Sequence, residues 1–258
     1  MPDYTLPHQL EGERQRLALM SALLDPMERV RIGHLGIVPG WRCLELGCGN
    51  GSIAEFLAER VAPAGHVVAS DLDLSFITNL QKPCLEVRRI NLLEDPIEPA
   101  AYDFVVARAL LHHLASPRLA LERMMAALKP GGVLLSIEPD MLPCTAAAPE
   151  SLNQFWRGWI QWSEAAGIDY FIGRKIPAWL DSLGLEKISS EGTTAQFSGA
   201  SPWATYWIET MRELAPALEQ SGNLTAETLA EFFARYQDPH YWTSVITFTA
   251  TWGRKPKP

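Results

Sequence analysis

The stretch that most constrains this chain is Leu44-Glu45-Leu46-Gly47-Cys48-Gly49-Asn50-Gly51-Ser52. An apolar run, Trp41 to Leu46, precedes it, and an amphipathic run, Ile53 to Val61, follows it. That context reads as strand, tight glycine turn and helix. Three glycines at alternate positions let the backbone take positive φ and pass close to a ligand. The free N–H groups that open the helix point at the same place. A dinucleotide site needs G-x-G-x-x-G, whose third glycine allows close helix–strand packing around a pyrophosphate. Here the pattern is G-x-G-x-G, and Ser52 stands where that third glycine belongs. Glu45, two residues ahead of the first glycine, is a carboxylate at the strand tip that repels a pyrophosphate and attracts a cation. Both features disfavour a dinucleotide oxidoreductase.

The rest of the chain excludes several other classes. Its 258 residues are 47% hydrophobic and 20% charged, the balance of a globular chain with a large core. A net charge of −8 with no basic run in the interior argues against a nucleic-acid groove, and Arg254-Lys255-Pro256-Lys257 reads as a solvated end. No apolar run is long enough to span a bilayer, and Met1 to Leu10 lacks a signal pattern, so no membrane partner and a cytoplasmic location are expected. Cys43, Cys48, Cys84 and Cys144 are scattered without a C-x-x-C, which suggests neither a disulfide framework nor a zinc site. The six histidines contain no H-x-x-x-H pair, and adjacent His112 and His113 should point in different directions, so no metal is expected.

Residues 8–37 read as two helices ahead of the first strand, with Tyr4 before them, and Pro39-Gly40 turns the chain into a strand at 41–46. A strand follows at 66–71, then a helix at about 74–80 with Asp73 as its N-cap, and strands at about 85–90 and 102–107. A helix over about 117–128 stops at Lys129-Pro130-Gly131-Gly132, and a fifth strand runs from Val133 to about Ile137. Strands alternating with helices imply an α/β, doubly wound, mostly parallel sheet. After Pro139 the regularity breaks. Helices are expected within 142–170 (Phe155, Trp156, Trp159, Ile160, Trp162), at 175–183, and as a pair within 199–237 (Trp203, Tyr206, Trp207, then Phe232, Phe233). Strands are expected at 185–192 and 242–252.

The glycine nonapeptide resembles the first motif of class I S-adenosylmethionine (SAM)-dependent methyltransferases, hydrophobic-Glu/Asp-hydrophobic-Gly-x-Gly-x-Gly. Further positions carry the likeness, strongly over 41–140. Val67-Val68-Ala69-Ser70-Asp71 is a second strand ending in an acid about 20 residues after the glycines. Ile90-Asn91-Leu92 falls where the family surrounds the adenine, with Asn91 in place of the usual Asp. Arg108 to Leu114 matches the loop at the methionine end of the cofactor, and Leu128 to Gly132 matches the turn before the fifth strand. The small-molecule branch is the nearest likeness.

The resemblance implies a seven-stranded Rossmann-like sheet with helical cap insertions. The chain is expected to divide into an N-terminal helical segment over 1–40, read from its place before the first strand and from Tyr4 as a lid or else as a packing pair, a SAM-binding core over 41–140, and a remainder over 141–258 with caps at about 142–170 and 199–237. The resemblance implies SAM as cofactor, S-adenosylhomocysteine as product, and Glu45, Gly47, Cys48, Gly49, Gly51, Asp71, Leu72, Asn91, Leu92 and Arg108 as binding residues. Asp71 would take both ribose hydroxyls. The loop Leu111-His112-His113-Leu114 resembles the His-Asp-Trp loop of small-molecule O-methyltransferases, which makes His112 the general base for a hydroxyl acceptor, titrating near pH 6.5. Glu138 and Asp140 stand at the carboxyl end of the fifth strand, as groups that orient a substrate amine or hydroxyl, or as solvated loop carboxylates or caps. The expected function is methyl transfer to O, N or C of a small apolar or aromatic molecule, of the kind found in secondary metabolism, with a homodimer left open. A SAM-fold protein without transfer, a cyclase or a binding module, is the alternative.

Overall fold

The computed structural model describes residues 12–258, so the expectation for Tyr4 lies outside the described residues. The elements are α1 (Glu13–His34), β1 (Arg42–Leu46), α2 (Ser52–Val61), β2 (His66–Asp71), β3 (Leu85–Arg89), β4 (Tyr102–Arg108), α3 (Pro117–Ala127) and β5 (Leu128–Asp140). They continue as α4 (Glu150–Ala165), α5 (Ile176–Ser182), β6 (Glu186–Thr194), β7 (Phe197–Ser198), α6 (Pro202–Gln220), α7 (Ala226–Gln237), β8 (Trp242–Thr243) and β9 (Thr247–Arg254).

Seven strands form one sheet in the order β3-β2-β1-β4-β5-β9-β6. The pairs from β3 to β5 are parallel, while β9 runs antiparallel to both β5 and β6. The chain leaves β1 toward one edge and returns through β4 to the other side, which makes the β1/β4 boundary a topological switch point. Ligands bind in such sheets at the carboxyl ends of the strands beside that boundary.

Alternate residues on each strand feed opposite faces, as the period of a strand requires. Cys43, Val67, Phe104 and Leu135 enter the core beneath α2 and the cap helices, whereas Leu44, Val68, Val105 and Leu134 enter the core beneath α3 and α5. The cap packs through aromatic edges and faces. Trp156 meets Trp207 edge-on at 5.1 Å, and Phe232 stacks on Tyr236 at 4.1 Å. Phe155, Trp156 and Trp159 of α4 are therefore core residues.

Four elements differ from expectation. The N-terminal pair of helices is a single helix, α1, with Pro26 inside it. Proline removes one N–H bond, but Leu24 and Ile32 on either side are anchored in the core, which keeps the helix continuous. The helix expected at 74–80 is a succession of turns, with Ile77 N–H on Leu74 O and Leu80 N–H on Ile77 O. Asp73 accordingly caps a turn, accepting from Ser75 N–H at 2.9 Å. Seven residues with one deeply buried anchor, Ile77, do not offset the cost of nucleating a helix. The fifth strand extends to Asp140, because β9 pairs with it as far as Asp140↔Thr247. The last strand is interrupted at 244–246, because Trp242–Thr243 is captured by β7 and Val245 O accepts from Cys144 N–H.

Candidate functional site

A cleft of about 350 Å³ opens over the carboxyl ends of β1, β2 and β4, walled in part by α1 and α6, which are joined through Arg16 and Tyr206. Its first half is the glycine turn. Gly47, Gly49 and Gly51 have φ of +67°, +54° and +78°. A Cβ on Gly51 would lie 2.8 Å from Leu80 Cδ2, so both conformation and space demand glycine there. Gly49 N–H donates to Asp71 Oδ2 at 2.9 Å, and Leu72 N–H donates to Oδ1 at 2.7 Å. The acid at the end of β2 is thus oriented by the turn itself.

Glu45 lies on the floor of the cleft, almost wholly buried, and its Oε2 has no hydrogen-bond partner among the described residues. Burial pushes its carboxyl up to about 8; Arg108 pulls it down, and Asp25 pushes it further up. A buried, unpaired carboxyl oxygen at this place fits the cationic end of SAM, and the oriented Asp71 fits a vicinal diol. The residues present therefore suit that cofactor. The raised carboxyl has a consequence for the empty protein. A folded pKa above the unfolded value near 4.5 means that the native state holds the proton more tightly. Stability from this group is full below about 4.5 and is lost as pH rises through about 8. Thermal melts of the cofactor-free protein should fall over that window, and Glu45→Gln should flatten the fall by an amount on the order of a few kcal/mol. An unchanged slope in the variant would show that Glu45 is already ionised.

The remaining positions from the sequence are distributed as follows. Cys48 is buried in the turn, and Leu92 is buried beside the cleft, while Leu72 is 48% exposed at its rim. Asn91 lines the cleft, but its amide shapes its own loop: Oδ1 accepts from Leu93 N–H at 3.0 Å and Nδ2 donates to Glu94 at 3.0 Å. Arg108 also borders the cleft, yet its guanidinium is turned toward α1. Nη1 donates to Asp25 Oδ1 at 2.6 Å and Nη2 to Ser52 Oγ at 3.3 Å. Ser21 donates to Asn50 Oδ1 at 3.1 Å, so α1 grips both the glycine turn and the β4 tip. Asp25, Ser21 and Arg16 escaped the sequence reading, which saw only an amphipathic helix there.

The second half of the cleft is aromatic, with Tyr170, Tyr206, Trp207 and Phe248 on its walls together with His112 and His113. The two histidines sit in a single 3-10 turn, Leu111–His113, and their rings lie 3.8 Å apart. They do not diverge as expected, because a 3-10 turn held from below brings both rings to the same wall. What holds it is Glu138. Oε1 accepts from Leu110 N–H at 3.2 Å and Leu111 N–H at 2.8 Å, while Oε2 accepts from His112 N–H at 3.3 Å and lies 2.9 Å from His112 Nδ1. Glu138 is therefore neither solvated nor a loop carboxylate; it is fully buried. Asp140 is paired with Arg174 through two bonds of 2.8 Å.

Burial drives the His112 imidazole down to about 3, with the Arg16 guanidinium as second cause and Asp169 opposing. His112 is thus neutral at pH 7, far from the value near 6.5 expected of a free side chain. Burial raises Glu138 to about 8 against the pull of three backbone N–H groups. With the carboxylate ionised, Nδ1–H of the neutral ring donates to it and Nε2 keeps its lone pair. Among the described residues no cluster of His, Cys, Asp and Glu could hold a metal, and no helix is long and apolar enough to cross a membrane.

Comparison with known proteins agrees with this geometry. Residues 5–190 match a family model described as a methyltransferase domain. An uncharacterized methyltransferase of Mycobacterium tuberculosis is 30% identical over 141 residues, 52% of this chain and 61% of its own length. A ubiquinone biosynthesis O-methyltransferase of Xylella fastidiosa is 32% identical over 118 residues, 43% of this chain and 47% of its own length. The chain thus spans less than two thirds of these relatives. In fold it is similar to phosphoethanolamine N-methyltransferase 2 of Haemonchus contortus, solved with phosphomonomethylethanolamine and S-adenosylhomocysteine. That likeness has a TM-score of 0.56 at 16% identity, covering 98% of this chain and 55% of the other.

Proposed function

The chain belongs to the class I SAM-dependent methyltransferases, and from that membership we propose that it methylates a hydroxyl oxygen of a small aromatic molecule, with His112 as the base. The observation that carries this reading is the His112–Glu138 pair on the wall of the aromatic half of the cleft. Glu45, Asp71 and the glycine turn would hold the cofactor, which supplies an electrophilic methyl group on a sulfonium. Since the donor is already activated, the protein's tasks are to align the acceptor, exclude water and take the proton. Neutral His112 offers the lone pair of Nε2, and an ionised Glu138 on its Nδ1–H would offset the burial that disfavours the protonated ring. An aromatic acceptor matches the walls formed by Tyr170, Tyr206, Trp207 and Phe248. An ammonium acceptor is less well matched, because the carboxylates nearest this half are committed. Glu13 holds Arg16, and Glu138 holds the histidine turn.

The first half of α1 is our candidate for the lid. Arg16, Leu17 and Met20 wall the cleft, and Ser21 and Asp25 clip this half to Asn50, Ser52 and Arg108 around it. The cleft's own walls and the family point to a small-molecule acceptor as the partner.

A pH–rate profile tests the base. His112 at Nε2 is competent only while Glu138 is ionised, so the proton on the pair must leave before the reaction proceeds. The rate should therefore rise through about pH 8 rather than about 6.5. Glu138→Gln should lower kcat and abolish that limb. A limb that stays in Glu138→Gln would assign it to another group and remove His112 from its role.

A further inference from the structure

The Tyr206 hydroxyl in the cleft is set as a donor and has no acceptor among the described residues. Tyr206 of α6 lines the aromatic half and is only 8% exposed. Its oxygen accepts from Arg16 Nη1 at 3.3 Å. Arg16 is in turn fixed by a two-pronged pair with Glu13, Nε–Oε2 at 2.7 Å and Nη2–Oε1 at 2.8 Å, and both residues are buried. Such fork-shaped pairs fix orientation as well as charge. The phenol ring is held too, edge-on against Trp207 at 5.2 Å and against Trp203 at 6.1 Å. Accepting from a cation occupies a lone pair and leaves the Tyr206 proton to point elsewhere, and no acceptor for it is found among the described residues. A phenol that accepts from a guanidinium is also polarised into a stronger donor.

We propose that Tyr206 selects the acceptor: its O–H donates to a carbonyl oxygen on the same ring that carries the methylated hydroxyl, so the substrate class is a hydroxylated aromatic or quinonoid ring bearing a carbonyl. This rests on the reading of the cleft as a methyl-acceptor site. The two polar ends belong to one chamber. Tyr206, His112 and His113 line the same cleft, and the field of Arg16 reaches both histidines. Ile246 and Phe248, on β9 and its approach, add apolar wall to the same cleft. A flat ring held in this cleft is thus offered both a base and a donor. A site with a fixed buried donor discriminates against a ligand that lacks the matching acceptor, because the donor is then left desolvated and unpaired.

The test is calorimetric titration of the full chain loaded with S-adenosylhomocysteine, using 2-hydroxy-1,4-naphthoquinone and 1-naphthol, two bicyclic rings that differ in their carbonyls. The wild type should bind the hydroxynaphthoquinone at least ~10-fold more tightly. Tyr206→Phe, which keeps the packed ring, should reduce that preference to within about threefold, by weakening the hydroxynaphthoquinone and by relieving 1-naphthol of the unpaired donor. A wild type without preference, or binding neither ring, overturns the proposal even if the variant fails to fold. A folded Tyr206→Phe that keeps the full preference overturns it as well. The same titration separates the two levels of the argument. Binding of S-adenosylhomocysteine without ring preference sinks the role of Tyr206 alone, whereas no binding of S-adenosylhomocysteine sinks the reading of the cleft and the proposal with it.

Discussion

His112→Ala is expected to lower kcat about 100-fold or more while SAM affinity stays within a few-fold of wild type. His112 lies in the acceptor half of the cleft, its Nδ1 is 2.9 Å from the buried Glu138 carboxylate, and burial keeps the ring neutral down to about pH 3. A phenol near pKa 10 is almost wholly protonated at neutral pH, so a base beside it removes a real barrier. The His113 ring lies 3.8 Å from that of His112, tilted against it, and its replacement by alanine should act mainly through stability. Single-turnover rates of both variants, measured with an identified acceptor, separate chemistry from binding. A near-wild-type rate in His112→Ala would leave alignment alone as the source of catalysis.

Asp71→Ala is expected to weaken SAM binding by ~2–3 kcal/mol, about 30- to 150-fold in Kd. Two effects add. The ribose would lose a charged acceptor for its hydroxyls, and the glycine turn would lose its brace, since Asp71 accepts from Gly49 N–H and from Leu72 N–H. Asp71→Asn separates them: it can still accept from one of the two N–H groups but no longer offers a charged pair of oxygens. Its loss should be smaller than that of the alanine variant. Calorimetry without added metal measures both, and a Kd for Asp71→Ala within threefold of wild type would show that the acid does not hold the cofactor.

Much of the fold was legible because its signals are local. The strand, glycine turn and helix around Gly47, Gly49 and Gly51 need only neighbouring residues, and the spacing to Asp71 follows from one βαβ unit. The alternation along β1, β2, β4 and β5 decides which core each side chain enters, and it can be read along a single strand. What escaped depends on contacts distant in sequence. For Glu138 the sequence leaves a substrate-orienting group, a solvated carboxylate and a cap all open, because its role appears only when β5 lies against β4 in the register Arg108↔Ile137, which sets it under the N–H groups of residues 110–112. Arg16 and Tyr206 are 190 residues apart, so nothing local joins them. Arg108 was assigned to the cofactor from its position in the loop, whereas Asp25, supplied by the preceding helix, claims its guanidinium. Pro26 suggested a break that packing on both sides overrides. The tryptophans divide for the same reason: α4 turns Trp156 and Trp159 into the core, while α6 brings Trp207 to the cleft.

The central claim is methyl transfer from SAM to a ring hydroxyl, and one incubation tests it most directly. The protein is mixed with methyl-labelled SAM, without added metal, and a panel of phenols, hydroxyquinones and amines, and the products are resolved by mass spectrometry. The account predicts label on a hydroxyl oxygen of an aromatic or quinonoid member, formed together with an equal amount of S-adenosylhomocysteine. Label found only on amines, or SAM bound while every member of the panel is returned unlabelled, would contradict it.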